Sequence, residues 1–490
     1  MPWARLRLGP GTFFPGPWAV FPAEALSKKE RDRELRTSMN VSGFFWFCGL
    51  FFGFSAWAQQ AFEETALDRG GVETPAPILR PDASLPDYLA YLEHFNPALK
   101  QLQHERAALH KDAEWQGGLP DPHLSLALFA EQVETRVGPQ EQKLGLKQPW
   151  LPKSKRKLKA ALPEAAAAVV DERLEALKAL LMRQFKNEYA EYYYLGKSVE
   201  TLTENLELLR SLESVIDTKY RTGSASYSSY IRLQIEIDQN EDRLQAAKAQ
   251  LFPFGPRLNA LLGRAPDAAI PVPRSMPLAW GGWPGWTQQE VADRLQRHPQ
   301  LRVRDREMAV QQTQMALAKS QRRPLWDFGV EWIRTGPPLV EGVPGAGKDP
   351  VIFSVGLNLP VWKKNYSARE RAAGDRYAAV EAARLDDYGD LQSQFHQMLY
   401  HFRDASRRIE LYRDNLIPKS HEALQVTLKS FETNHVSYLD VIEVNRGQFE
   451  FQLSFHRALA DKAKAVADLE WILSDRFPRL QEEVGHGNRH

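Results

Sequence analysis

Residues 219–241 read KYRTGSASYSSYIRLQIEIDQNE, and residues 430–450 read SFETNHVSYLDVIEVNRGQFE. Each stretch ends one helix, crosses a turn of small and polar residues and enters a second amphipathic helix. Tyr220-Arg221-Thr222-Gly223 aligns with Phe431-Glu432-Thr433-Asn434 at an offset of 211 residues, and Ser226-Tyr227 aligns with Ser437-Tyr438 at the same offset. Working outward, that offset also joins Leu144-Gly145-Leu146 to Val355-Gly356-Leu357 and Ala260-Leu261-Leu262 to Trp471-Ile472-Leu473. Earlier in each copy the offset is 202, from Asn96-Pro97-Ala98-Leu99 to His298-Pro299-Gln300-Leu301 and from Pro122 to Pro324. The chain therefore repeats itself once. The nine residues separating the two offsets fall between the strands of the second copy, which marks a loop tip flanked by rigid elements. A unit of about 200 residues is too long for a solenoid repeat, so this is a duplicated domain.

Within each copy the order is helix, hairpin, long helix, turn, helix. Residues 85–116 and 287–322 carry helical periodicity, as in Leu89, Leu92, Leu99 and Leu102. Four segments alternate with period two: Leu124, Leu126, Leu128; Leu144, Leu146; Trp326, Phe328, Val330, Trp332; and Phe353, Val355, Leu357, Leu359, with Ile352 the apolar exception on the other face. Long helices are expected over 152–219 and 363–430, each about 100 Å at about 1.5 Å per residue. Their stripes (Leu174, Leu177, Leu181; Leu202, Leu206, Leu209) call for side-by-side packing against other helices. Pro163, Pro253, Pro256 and Pro418 are expected to bend or interrupt helices.

The balance of 63 Lys+Arg against 62 Asp+Glu in 490 residues gives a net charge of +1, which offers no global electrostatic case for a nucleic acid. The strongly apolar run VSGFFWFCGLFFGFSAWA (41–58) follows Lys28, Lys29, Arg31, Arg33 and Arg36 and ends in Ala56-Trp57-Ala58, which reads as a signal peptide cleaved before Gln59. Met39 offers an alternative start to Met1. The single cysteine, Cys48, lies inside that segment, so the mature chain has no disulfide framework. A secreted chain with no second apolar helix is either soluble or crosses a membrane as a barrel. In a soluble sheet, period-two alternation means only one buried face. Behind a signal peptide, apolar faces with aromatics near the ends suit an outer-membrane barrel, but four strands cannot close one, and three protomers would supply twelve.

With repeat, hairpins and turns in place, the chain from about residue 80 to 475 resembles the TolC family of outer-membrane efflux ducts. The turn segments carry most of the resemblance, supported by NPALKQLQHE, PDPHLSL, LGLKQPWLPKSKRK and NLIPKSHEAL. It implies a mainly α fold with a β-barrel contribution. Duplicated long antiparallel helices would form an α-barrel, and four strands per chain would enter a trimeric twelve-stranded transmembrane β-barrel. The implied organisation is an upstream extension and signal peptide (1–58), a first efflux repeat (59–263), a connector (264–286), a second repeat (287–473) and a tail (474–490) that reads as mobile. The implied partners are two further copies, a periplasmic adaptor of the membrane-fusion type, an inner-membrane pump and outer-membrane lipid, with no nucleic acid and no cofactor. The start of the first strand and the QPW junction look most like the branch that exports heavy-metal cations; general drug or solute efflux is the other reading. Tyr220, Arg221, Thr222, Gly223, Phe431, Glu432, Thr433 and Asn434 would then be the tips that meet the adaptor.

Asp440 and Glu443, three apart, share a helix face just beyond the second turn. By the resemblance they face the pore, where a trimer would gather a ring of carboxylates that favours cations. An ordinary solvated helix face is the plainer reading. Their first-copy equivalents are Ser229 and Arg232, so the entrance would lack symmetry between repeats, and Val436 and Phe431 stand where relatives close the entrance with polar links. The stretch Gly342 to Lys348 has phosphate-loop spacing, but Asp349 replaces the required Ser or Thr and a strand follows, so it reads as a hairpin tip. His110, His123, His396, His401, His486 and His490 form no ligand set, and no nucleophile pairs with a base by motif, so an enzyme is not expected. The competing reading is a soluble periplasmic coiled-coil adaptor or scaffold.

Overall fold

The computed structural model describes residues 79–80, 83–276, 285–338, 342, 344–433 and 435–474. The signal segment with Cys48 and Met39, tip residue Asn434 and the tail with His486 and His490 lie outside the described residues. The described residues belong to one compact unit.

The first copy contributes α1 (Leu85–Phe95), α2 (Pro97–Gln116), β1 (His123–Thr135), β2 (Gly138–Trp150), α3 (Lys153–Arg221), α4 (Tyr227–Leu251) and α5 (Phe254–Leu262). The second contributes α6 (Gln288–Gln296), α7 (Pro299–Ser320), β3 (Trp326–Thr335), β4 (Val351–Leu357), α8 (Lys363–Leu411), a π-helical turn (Tyr412–Leu416), α9 (Ile417–Glu432) and α10 (Tyr438–Leu473).

The helical stretches expected over 85–116 and 287–322 are each divided, at Asn96 and His298. Both residues precede a proline, which drives them out of the helical region, to ψ 126 and 135. Each then caps the next helix: Asn96 Oδ1 accepts from Ala98 N at 2.9 Å, and His298 Nδ1 accepts from Gln300 N at 3.3 Å. The aligned NPAL and HPQL motifs are thus helix breaks. Pro163 does not interrupt α3, which runs through it for 69 residues. Pro418 does act as expected. It can offer no N–H to the carbonyl of Asp414, and the helix widens into the π turn just before it. Pro253 caps α5, with Pro256 in its first turn, so these two prolines separate α4 from α5.

Three apolar clusters pack along the long helices. One joins α1, α3, α5 and α10 through Tyr88, Leu92, Phe185, Leu258 and Ala458. A second joins α6, α7, α8 and α10 through Leu295, Leu301, Leu391, Phe402 and Leu469. The third lies beside the two helix–turn–helix segments, through Leu212, Ile216, Leu233, Phe431, Tyr438 and Val441. The connector also packs: Ile270 and Met276 are buried, and Tyr192 Oη donates to the Ile270 carbonyl at 3.1 Å.

The four strands form one antiparallel sheet in the order β1-β2-β3-β4. The two hairpins, distant in sequence, meet through β2 and β3, where Leu146 pairs with Val330 and Trp150 with Trp326. The connection from β3 to β4 is the long one, and its described turn residues Gly342, Gly345 and Gly347 have φ of 82°, 86° and 70°. The expected hairpin tip is therefore present, and no helix follows its glycines.

Candidate functional site

Two regions combine exposure with order: the sheet, and the end formed by the two turns.

On the sheet, cross-strand pairing gathers the apolar positions on one face. Leu126, Leu144, Trp332 and Val351 form one row; Leu124, Leu146, Val330 and Phe353 form the next; Trp150, Trp326 and Leu357 form a row near the helices. Apart from half-buried Val330 these side chains are exposed, up to 83% at Phe353 and 73% at Leu124. An apolar surface continuous over four strands is what a water-soluble monomer does not leave open. The opposite face carries ion pairs and small residues: Lys143 to Glu331 at 2.8 Å, Lys147 to Asp327 at 3.3 Å, and Gly145, where a Cβ would come within 2.7 Å of Ser125 Oγ. Ile352 sits on this polar side opposite Glu331, the exception that the alternation singled out. Strands β1 and β4 are the edges.

The two turns share several bonds. Ser224 N donates to Lys219 O at 2.7 Å and His435 N to Ser430 O at 2.8 Å; Thr222 Oγ1 donates to Thr218 O at 3.1 Å and Thr433 Oγ1 to Lys429 O at 3.2 Å. Each partner is displaced by the repeat offset. Ser226 and Ser437 cap the returning helices, accepting from Ser229 N and Asp440 N at 3.2 and 3.3 Å. Gly223 has φ of 75°, a left-handed conformation in which a side chain would be strained. The turns are also tied together. Lys219 Nζ donates to the Phe431 carbonyl at 2.8 Å and stands 4.0 Å from the centre of its ring, which packs edge-on to Tyr438. Tyr220, Arg221, Thr222, Gly223, Glu432 and Thr433 are exposed here, whereas Phe431 is buried and serves the core between the turns.

Asp440 and Glu443 are both exposed in the first turns of α10. Asp440 also completes a capping box, its Oδ2 accepting from Ser437 N at 2.7 Å. Hydrogen bonds from the Ser437 side chain and then its backbone hold the Asp440 carboxyl below the ordinary carboxylate range. Spacing alone did not disclose this local duty.

Sequence reasoning missed a polar cluster behind the turns. Asn205 Nδ2 donates to Asn240 Oδ1 at 3.0 Å, Asn445 Nδ2 donates to Asn205 Oδ1 at 2.7 Å, and Asn240 Nδ2 reaches the Glu236 carbonyl at 2.8 Å. Glu236 in turn accepts from Arg446 at 2.5 Å. Asn205, Asn240, Asn445 and Glu236 are all buried, so α3, α4 and α10 are joined by a satisfied network inside an apolar cluster. Burial and then the Glu236 charge push the Tyr438 hydroxyl well above its ordinary range. The available signal was polar residues at helical positions that a continuous apolar stripe would occupy.

No protein-family model matches the sequence, and no curated protein matches it. Solved structures do share its fold. The outer membrane protein VceC of Vibrio cholerae superposes with a TM-score of 0.64 at 16% identity, over 80% of this chain and 97% of that one. CusC, whose structures concern folding and transmembrane channel formation, gives 0.67 at 12%, over 79% and 91%. The Campylobacter jejuni outer membrane channel CmeC gives 0.65 at 11%, over 81% and 87%. The fold of this chain is therefore that of TolC-like outer-membrane channels.

Proposed function

We propose that this chain is the outer-membrane channel subunit of a tripartite efflux system, a passive duct that receives its cargo from an inner-membrane pump through a periplasmic adaptor. The exposed apolar sheet face carries this reading. Along β2, from Trp150 to Gln140, the partner of Val133, the face runs about 33 Å at about 3.3 Å per residue, which a tilt of about 40° converts to about 25 Å of membrane thickness. No helix among the described residues is long and apolar enough to cross a membrane. Edges β1 and β4 hold unpaired backbone groups that lipid would not satisfy, and pairing them between three copies closes twelve strands. The polar face with its ion pairs then lines the lumen. Behind it the long helices of three copies form the tube, ending at Tyr220–Gly223 and the second turn, where the adaptor docks. A soluble adaptor or scaffold is the competing reading, and it is disfavoured by the same uncovered apolar rows.

In this reading the Asp440 and Glu443 carboxylates of three chains ring the entrance and favour cations. That preference and the QPW junction support heavy-metal cations as cargo, with drug or solute efflux as the other class. Membrane fractionation followed by electrophoresis without heating tests the duct: an outer-membrane trimer resistant to detergent is expected, and a soluble periplasmic monomer overturns it. For the ring, Asp440→Asn with Glu443→Gln removes charge while retaining a polar group at the cap. Cation over anion selectivity in planar bilayers should fall, and unchanged selectivity would refute the ring.

A further inference from the structure

We infer that the two strand-to-helix junctions form a basic collar that binds the phosphodiester headgroups of anionic phospholipids in the leaflet adjoining the helices. The inference rests on the channel reading and adds a ligand to it. At the first junction Trp150, 47% exposed, is followed by Lys153, Lys155, Arg156, Lys157 and Lys159, and no acidic residue occurs from 151 to 163. At the second, Trp362, 73% exposed, is followed directly by Lys363 and Lys364, and none occurs from 351 to 369. The two copies differ in sequence here but repeat the order: apolar strand, exposed tryptophan, uncompensated cations. That is the order of a chain leaving hydrocarbon through the headgroup layer, where aromatic rings sit at the interface and Lys side chains reach phosphate.

The junctions lie side by side. Trp150 pairs with Trp326 and Trp326 with Leu357, so β2 and β4 leave the sheet at one level. Arg156 donates to the Gly117 carbonyl at 3.4 Å, tying the end of α2 to the start of α3, and Arg322 pairs with Glu370 at 2.8 Å, tying the end of α7 to α8.

Within the protein these cations are badly placed. Helices α1, α6 and α10 begin with Asp87, Glu290 and Asp440, which suit the positive end of a helix. Helices α3 and α8 begin with no acidic residue in the first turn and no side-chain cap, and carry lysines there. Lys155 is only 9% exposed and has no ion-pair partner among the described residues. Burial, and then the neighbouring Lys159, lower its pKa, the response of an amine that lacks a counter-charge. At about 100° per residue the cations from 153 to 159 cover an arc of about 200° that leaves the Leu158 side uncharged, and Lys153 and Lys157 within that arc are exposed. Bound phosphodiesters supply anions to the exposed Lys153, Lys157, Lys363 and Lys364 and to the open helix ends.

The test uses the intact trimer. It is equilibrated with mixed vesicles of phosphatidylglycerol and phosphatidylcholine, extracted gently, and the lipids retained per trimer are counted by native mass spectrometry. Retention of phosphatidylglycerol over phosphatidylcholine by about tenfold is expected, falling towards parity in a variant combining Lys153→Gln, Lys157→Gln, Lys363→Gln and Lys364→Gln. Arg407→Gln, far along α8 and exposed, should leave the ratio unchanged. Equal retention of the two lipids by the unaltered trimer overturns the collar, as does a variant that keeps the full preference. Displacement of the lipid by millimolar inorganic phosphate also overturns it, because the site would then bind small anions rather than a lipid surface. The unheated trimer band reports assembly of each variant, so failure of the collar is read separately from failure of the channel.

Discussion

Leu146→Arg is expected to abolish the outer-membrane trimer. Leu146 lies mid-strand on β2, opposite Leu124 on one side and Val330 on the other, in the middle of the exposed apolar rows. An arginine facing lipid near the membrane midplane costs about 2–4 kcal/mol per site, and a trimer carries three sites, so the total approaches the whole stability of an ordinary fold. In a soluble protein the same change on an already exposed face would cost within about 0.5 kcal/mol. Electrophoresis without heating, with antibody detection in outer-membrane fractions, gives the readout. Ala127→Glu is the control: it adds a charge on the other face of β1, opposite Lys143, and should leave the trimer intact. Normal assembly of the Leu146 variant would remove the main support for a lipid-facing sheet.

His298 should make stability depend on pH between about 6.5 and about 4. Its ring is 2% exposed against Trp471, at 5.0 Å between ring centres, and burial lowers its pKa from 6.5 to about 4. The unfolded chain therefore binds a proton in that window that the folded chain refuses. The stabilisation is complete above about pH 6.5 and is lost progressively as pH falls towards 4, by about 3 kcal/mol per chain at 1.36 kcal/mol per unit. The cap gives the loss a structural course: protonated Nδ1 can no longer accept from Gln300 N, and the start of α7 loses its partner. His298→Asn keeps an acceptor at the cap, as Asn96 does in the first copy, and cannot titrate. Unfolding midpoints of the detergent-solubilised protein should fall more steeply with acidification for the unaltered chain than for His298→Asn; parallel curves would exclude the histidine.

Much of this protein was open to sequence reading because its elements are local and periodic. The alternation of Trp326, Phe328, Val330 and Trp332 fixes a strand and its apolar face without reference to any partner. The constant offset from Leu144 to Leu262 located both turns, and the matching bonds at Thr222 and Thr433 show that the offset reflects backbone geometry. The same offset exposed the asymmetry at Asp440. Where residues serve distant neighbours, the sequence was silent. The Asn205, Asn240 and Asn445 network brings together positions up to 240 apart, and Lys219 crosses 212 residues to the Phe431 carbonyl.

By itself the sequence determined the duplication, the strands with their polar and apolar faces, the long helices and the paired turns, because periodicity and turn chemistry act over a few residues. Only the tertiary structure decided that the two hairpins join through β2 and β3 into one sheet, and that Pro163 stays inside an unbroken helix. It also decided that Phe431 turns inward and that Asp440 is tied to Ser437. These depend on which surfaces meet, and burial and hydrogen-bond geometry between segments far apart in the chain set that outcome.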